Sequence, residues 1–213
     1  MTPRPYRLGR RQATVDATRA RILRAARATL LAPRSPTEFS IDQVARRARV
    51  TRATVYHQFG SRRRLFEAVF DDLAARGGIY ELGTVFQERD PDRALARFVA
   101  TFGRFWSASR LVHRRLRARG AWDSGLEQAL AARQERRRLA LKVLVGRLHE
   151  RYGRPPAEAL DETVDVLFTV TSFETFDALA GSAKTPADMA PVVLRLARGV
   201  LGLESATKAR GEL

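Results

Sequence analysis

The sequence predicts an all-α protein of about nine helices, with an N-terminal three-helix domain and a larger C-terminal helical domain. Three observations carry the prediction. Apolar residues recur with a period near 3.6 in nearly every segment, and no run alternates with period 2. The periodic segments are punctuated by helix-capping and helix-stopping residues. Between residues 40 and 59, two short helical segments flank a three-residue turn, the dimensions of a helix-turn-helix.

Each element can be justified in order. Residues 14 to 32 place Ile22, Ala26 and Leu30 at i, i+4 and i+8 with arginines between them, one amphipathic helix that Pro33 and Pro36 interrupt. Ser40 opens the second helix with Gln43 three residues on, a capping-box spacing, and Ile41, Val44, Ala45 and Ala48 form its apolar stripe. Thr51 is the expected N-cap of the third helix. Ser61 is the expected cap of the fourth, which carries Leu65, Phe66, Val69, Phe70 and Leu73 and meets a weak point or break at Gly77-Gly78. Asp90-Pro91 reads as N-cap and first helical residue of a helix to about Ala108. A short basic helix, Leu111 to Arg119, comes next. Another, from about Ser124 to Tyr152, is stopped by Gly153-Arg154-Pro155-Pro156. The last pair covers about Ala157 to Ala180 and Pro186 to Leu203, with Thr185-Pro186-Ala187-Asp188 as a second capping box.

The 213 residues contain no cysteine, which excludes disulfide scaffolds, thiolate metal sites and a cysteine nucleophile. No uncharged apolar run approaches the ~18 residues that span a bilayer, so a cytoplasmic protein is expected. The net charge of +16 favours a polyanionic partner. The excess is uneven: residues 1–76 hold 17 Lys and Arg against 6 Asp and Glu, whereas residues 77–213 hold 22 against 17. A preference for arginine inflates the total, since 36 of the 39 basic residues are Arg, but it does not create that asymmetry.

The third helix explains the bias. In Val50–Phe59, VTRATVYHQF, the apolar residues Val50, Val55 and Phe59 point back toward Ile41, Val44 and Ala48. What remains is Thr51, Arg52, Thr54, Tyr56, His57 and Gln58, a face of hydrogen-bonding tips suited to DNA. Arginine can bind guanine O6 and N7 with both arms, threonine can touch a thymine methyl or a phosphate, and tyrosine and histidine can donate to phosphate oxygens. Arg52, at the helix start, is the expected base reader. Tyr56 closes the core edge while aiming its hydroxyl at phosphate. The run Arg62-Arg63-Arg64 has the look of a solvated face, but its helix N-terminus puts Arg62 forward as a phosphate contact. Arg4, Arg7, Arg10 and Arg11 form a basic arm that either enters a minor groove or is a nonspecifically attracted tail.

The segments Thr18–Ala26, Ser40–Ala45, Ala48–Thr51 and Thr54–Phe59, together with Arg62 and Leu65, resemble in order and spacing the tetracycline-repressor (TetR) family of bacterial transcription regulators. The resemblance covers roughly the first 70 residues. It implies a transcriptional regulator, most often a repressor, that binds a palindromic operator as a homodimer through Ser40, Arg49, Thr51, Arg52, Ala53, Thr54, Tyr56, His57, Gln58 and Arg62. Three positions depart from the family. Arg49 stands where the turn usually has glycine, so either the turn is altered or a phosphate contact offsets the strain. Gln58 replaces the histidine before the phenylalanine, and Arg62 the usual lysine.

The last two helices are apolar on more than one face, so they must be covered on two sides: either one by their own domain and one by a symmetry mate, or both inside a monomer, for which no later helices are left to cover them. Val166, Val170, Phe173, Phe176, Val193, Leu196 and Val200 are the expected dimer interface. The family resemblance implies the same four-helix arrangement, and a small apolar or amphipathic effector held between the central helices. Phe102, Trp106, His113, Trp122 and Phe168 are the expected lining, with His113 either a polar handle or a residue on the exposed face of a basic helix. Ligand and DNA would then weaken each other by the same factor.

The expected organisation is a basic arm at 1–13, a DNA-binding domain at 14–76, an effector-binding and dimerisation domain at 77–203 and a frayed tail at 204–213. No enzyme is indicated: there is no HExxH, no phosphate-binding glycine loop, and the three histidines, His57, His113 and His149, lie on separate segments. No cofactor is expected. Binding to DNA or to an anionic membrane surface without a ligand switch is the alternative.

Overall fold

The computed structural model describes residues 6–32, 39–117, 124–153 and 157–203. Every regular element among them is helical: α1 (Tyr6–Leu30), α2 (Ile41–Ala48), α3 (Arg52–Phe59), α4 (Arg62–Arg76), α5 (Leu82–Gln87), α6 (Pro91–Arg117), α7 (Ser124–Tyr152), α8 (Ala157–Val170), α9 (Phe173–Ala180) and α10 (Ala190–Val200), with 3-10 turns at Ile79–Glu81 and Ala187–Met189. The chain divides into two compact units, Met1–Asp72 with Leu111–Ala129, and Leu73–Arg110 with Leu130–Leu213.

In the first unit α1 packs on α2 and α2 on α3. Ile22, Ala26 and Leu30 of α1, Ile41, Val44 and Ala45 of α2, and Val55 and Phe59 of α3 are buried, as the stripes in the sequence require. Phe39 and Phe66 close this core with ring centroids 4.4 Å apart. The predicted caps of α3 and α4 form: Thr51 Oγ1 accepts from the Thr54 amide at 3.1 Å and Ser61 Oγ from the Arg64 amide at 3.1 Å. Ser40 caps differently from the expected box, since its Oγ accepts from the Asp42 amide at 3.2 Å. α1 begins at Tyr6 rather than near residue 14, so most of the expected arm is helical. Arg4 lies outside the described residues, as does the tail at 204–213.

The second unit has one core, built from Leu95, Phe98, Val99 and Phe102 of α6, Leu141, Leu144, Val145 and Leu148 of α7, Val164 and Leu167 of α8, Phe173 and Phe176 of α9, and Val193 and Ala197 of α10. The predicted start of α6 holds: Asp90 Oδ1 accepts from the amides of Asp92 at 2.9 Å and Arg93 at 3.2 Å. So does the Thr185/Asp188 box, with Thr185 N–H to Asp188 Oδ2 at 2.8 Å and Asp188 N–H to Thr185 Oγ1 at 3.4 Å, although it opens a 3-10 turn before α10.

Three elements differ from expectation. The two helices expected at 91–108 and 111–119 are one, α6: Ser109 turns its hydroxyl back to the Phe105 carbonyl at 2.7 Å instead of capping a new start. The single helix expected over 157–180 is two. Ser172 is extended (φ −71, ψ 160), and its Oγ accepts from the Thr175 amide at 3.2 Å, restarting the chain as α9. Finally, Gly77-Gly78 does end α4, but a 3-10 turn and α5 follow it. Gly77 is required there by proximity, since a Cβ on it would lie 2.7 Å from the Phe105 Cα.

Candidate functional site

The turn between α2 and α3 is a Schellman motif made without glycine. Arg49 takes the left-handed conformation at φ 53 and ψ 50, the only positive φ outside glycine among the described residues. Its N–H donates to the Arg46 carbonyl at 3.1 Å, and the Val50 N–H to the Ala45 carbonyl at 3.0 Å, which satisfies two of the carbonyls that α2 leaves open. The turn geometry is therefore kept, and Arg49 carries the strain.

This turn sets the face of α3. Val55 and Phe59 are buried, whereas Thr51, Arg52, Ala53, Tyr56 and His57 are exposed and Thr54 and Gln58 are half-buried. Arg52 does not float free. Its Nη1 donates to Asp42 Oδ2 at 3.1 Å and its Nη2 to the Tyr56 hydroxyl at 3.5 Å, with the guanidinium carbon 5.5 Å from the Tyr56 ring centroid. The Tyr56 hydroxyl, and then the Asp42 charge, push the Arg52 pKa further above its ordinary range. Both partners of the ion pair are more than half exposed, so the pair orients the guanidinium without locking it. Arg19 of α1 braces the far end of α3, donating to the Gln58 carbonyl at 2.8 Å with its guanidinium carbon 4.3 Å from the Phe59 centroid. Arg62 is half-buried and lies 5.8 Å from the Phe66 centroid, a tighter setting than a solvated basic run implies. Ser40 has its hydroxyl engaged in the cap of α2.

Sequence reasoning missed Asp42 and Arg19. Their partners lie ten and 39 residues away on other helices, and no local spacing announces them.

Residues 22–69 match the family model for bacterial regulatory proteins, tetR family. The match spans the helix-turn-helix and parts of the helices on either side of it. The whole fold is similar to solved regulators of that kind. A TetR-like transcriptional regulator from Rhodococcus sp. RHA1 aligns at TM-score 0.63 and 20% identity, over 87% of this chain and 96% of that one. NalD of Pseudomonas aeruginosa aligns at TM-score 0.66 and 21% identity, over 86% and 95%. A TetR transcription regulator from Haloarcula marismortui aligns at 0.62 and 14%, over 87% and 96%. No curated protein matches the sequence. The chain thus has a helix-turn-helix segment that matches the tetR-family model, followed by a helical domain.

In the second unit, three of the five expected ligand-lining residues come together. Phe102 and Trp106 are buried, with ring centroids 5.7 Å apart, and the Trp106 indole donates to the Thr171 carbonyl at 3.1 Å. Phe168, half-buried, meets them through a side chain the sequence reading passed over. Arg137 of α7, 5% exposed, sets its guanidinium carbon 3.9 Å from the Phe168 centroid and 5.9 Å from those of both Phe102 and Trp106. Nη1 donates to the Phe168 carbonyl at 3.0 Å and to Thr171 Oγ1 at 3.2 Å, and Nη2 to Gln134 Oε1 at 3.0 Å. Burial, and then the charge of Arg138, push its pKa down to about 9, so it remains a cation at neutral pH. A signal existed: Arg137 falls on the same stripe as the buried Leu141, Leu144 and Leu148, at i, i+4, i+7 and i+11. His113 is half-buried, and Trp122 lies outside the described residues.

The expected interface residues separate by depth. Phe173, Phe176 and Val193 are buried in the core of their own unit and Val170 packs against that core, so these four have been claimed by the fold. Val166, Leu196 and Val200 remain at the surface, 39 to 45% exposed, with Leu179 at 40% beside them in kind. Among the described residues no helix is long and apolar enough to cross a membrane.

Proposed function

We propose that this chain is a transcriptional repressor that binds a palindromic operator as a homodimer and is released by a small apolar or amphipathic ligand held in the C-terminal domain. The exposed face of α3 carries the reading: an N-capped helix of eight residues presents Arg52, Tyr56 and His57 to solvent behind a strained, cationic turn. Arg52 reads a base, while Arg49, Thr51, Thr54, Tyr56, His57, Gln58 and Arg62 contact the backbone or position the helix, with Ser40 and Ala53 at the edges of the surface. The exposed apolar residues of α8 and α10 support a two-fold dimer, which would set two α3 helices in major-groove half-sites ~34 to 36 Å apart. The sign of regulation follows NalD, which is described as the secondary repressor of a multidrug efflux pump. The domain division at about residue 76 and the cytoplasmic location belong to the same reading.

Selection of bound fragments from random DNA by the purified protein tests it. The expected product is an inverted repeat bound with a steep salt dependence. Enrichment of no sequence over random competitor would remove the operator from the reading.

A further inference from the structure

We propose that Arg137 anchors an anionic effector, taking the carboxylate of an aromatic or amphipathic carboxylic acid whose apolar part lies among Phe102, Trp106 and Phe168. The proposal rests on the ligand-responsive reading above and deepens it by naming the ligand's charge.

A guanidinium has five N–H donors. Arg137 uses two of them at Nη1 and one at Nη2. What is left is the Nε–H, buried and without an acceptor, and one N–H of Nη2. The Nε–H and the Nη2 group beside it form one edge of the guanidinium, the edge that receives a carboxylate side-on through two parallel hydrogen bonds. No carboxylate of the described residues forms an ion pair with Arg137, whereas Arg104, Arg110, Arg138 and Arg151 each have an acidic partner. A cation held at 5% exposure without a counter-charge is costly to the fold, and three aromatic faces offset only part of that cost because they offer no acceptor to the Nε–H. An incoming anion would supply both the missing charge and the missing acceptor.

The competing role is structural. Arg137 donates to the Phe168 carbonyl in the last turn of α8, where a cation complements the helix terminus, and so ties α7 to the break at Thr171-Ser172. That role predicts no preference for an anion over a neutral molecule of the same shape.

The test uses the full chain without DNA and three matched probe pairs: benzoate and benzamide, 2-naphthoate and 2-naphthamide, octanoate and octanamide. Melting temperature is followed against probe concentration for wild type, Arg137→Gln and Arg137→Lys. At least one carboxylate is expected to raise the wild-type melting temperature saturably where its amide does not. The midpoint should shift at least ~10-fold in Arg137→Gln, and clearly in Arg137→Lys, which keeps the charge but loses the two-armed edge. Should Arg137→Gln not fold, Arg137→Lys alone decides. Equal response to acid and amide in every pair, or a wild-type midpoint in the folded variants, overturns the proposal. Because no DNA is present, this result is independent of whether an operator exists.

Discussion

Arg52 and Asp42 are joined by a 3.1 Å ion pair between α3 and α2, across the turn that Arg49 closes in the left-handed conformation. The Arg52 guanidinium is thus oriented between the Asp42 carboxylate and the Tyr56 hydroxyl, and under the proposed base-reading role the carboxylate must release it when a guanine arrives. The pair is exposed enough for that exchange to be cheap.

Arg52→Ala is expected to cost ~1 to 3 kcal/mol on the selected operator and to relax preference at one base position. Asp42→Asn should raise affinity for random DNA, since it removes a negative charge and frees the fork, and so narrow the ratio of specific to nonspecific binding. Anisotropy titrations over a range of salt concentrations separate the two. A loss from Arg52→Ala of the same size on operator and random DNA would take base reading away from this residue.

Arg49→Gly is expected to stabilise the protein by about 0.5 to 1 kcal/mol, because glycine occupies φ 53 without the Cβ clash that arginine bears. Urea midpoints measure it. If the same variant also binds DNA more weakly and with a shallower salt slope, the arginine is retained for a phosphate despite the strain.

Leu196→Glu or Val166→Asp should shift the protein from dimer to monomer in sedimentation and remove the concentration dependence of its melting temperature, since both side chains are exposed in the chain itself. Phe176→Ala, by contrast, opens a cavity in a fully buried position and should cost ~3 to 5 kcal/mol of stability whatever the assembly. A dimer that survives both surface charges has its interface elsewhere.

The Thr185 amide, and then the Thr185 hydroxyl, hold the Asp188 carboxyl below its usual 3.8. A carboxylate with a lowered folded pKa stabilises the fold above its unfolded pKa and loses that contribution as pH falls through the folded value. The stability gap between wild type and Asp188→Ala should therefore be constant above about pH 5 and shrink below 3.8. Urea midpoints for the two proteins at pH 6 and pH 3 check the sign, and a gap that widens in acid contradicts it.

What could be read from the residues alone was local. Caps at Thr51, Ser61, Asp90 and Thr185 were legible because each is satisfied within three residues of itself. The face of α3 was legible because its buried residues, Val55 and Phe59, are four apart. What escaped was either a competition between two local outcomes or a contact over long sequence distance. Ser109 and Ser172 both offer a hydroxyl, yet one bonds back into its helix and the other starts a new one, and the choice is made by packing. Arg137 sits in the run Arg136-Arg137-Arg138 and looks like solvated surface until its stripe with Leu141 is followed; its partners at 168 and 171 come from α8 and the segment that follows it. Asp42 and Arg19 were invisible for the same reason.

Where Gly77 meets Phe105, the glycine contributes no side chain, and a Cβ there would lie 2.7 Å from the Phe105 Cα and 2.9 Å from its ring. Phe105 in turn lies 4.6 Å, ring to ring, from Trp106. A methyl added at position 77 would therefore have to push α6 away at Phe105, and the ring packed against Trp106 would move with it.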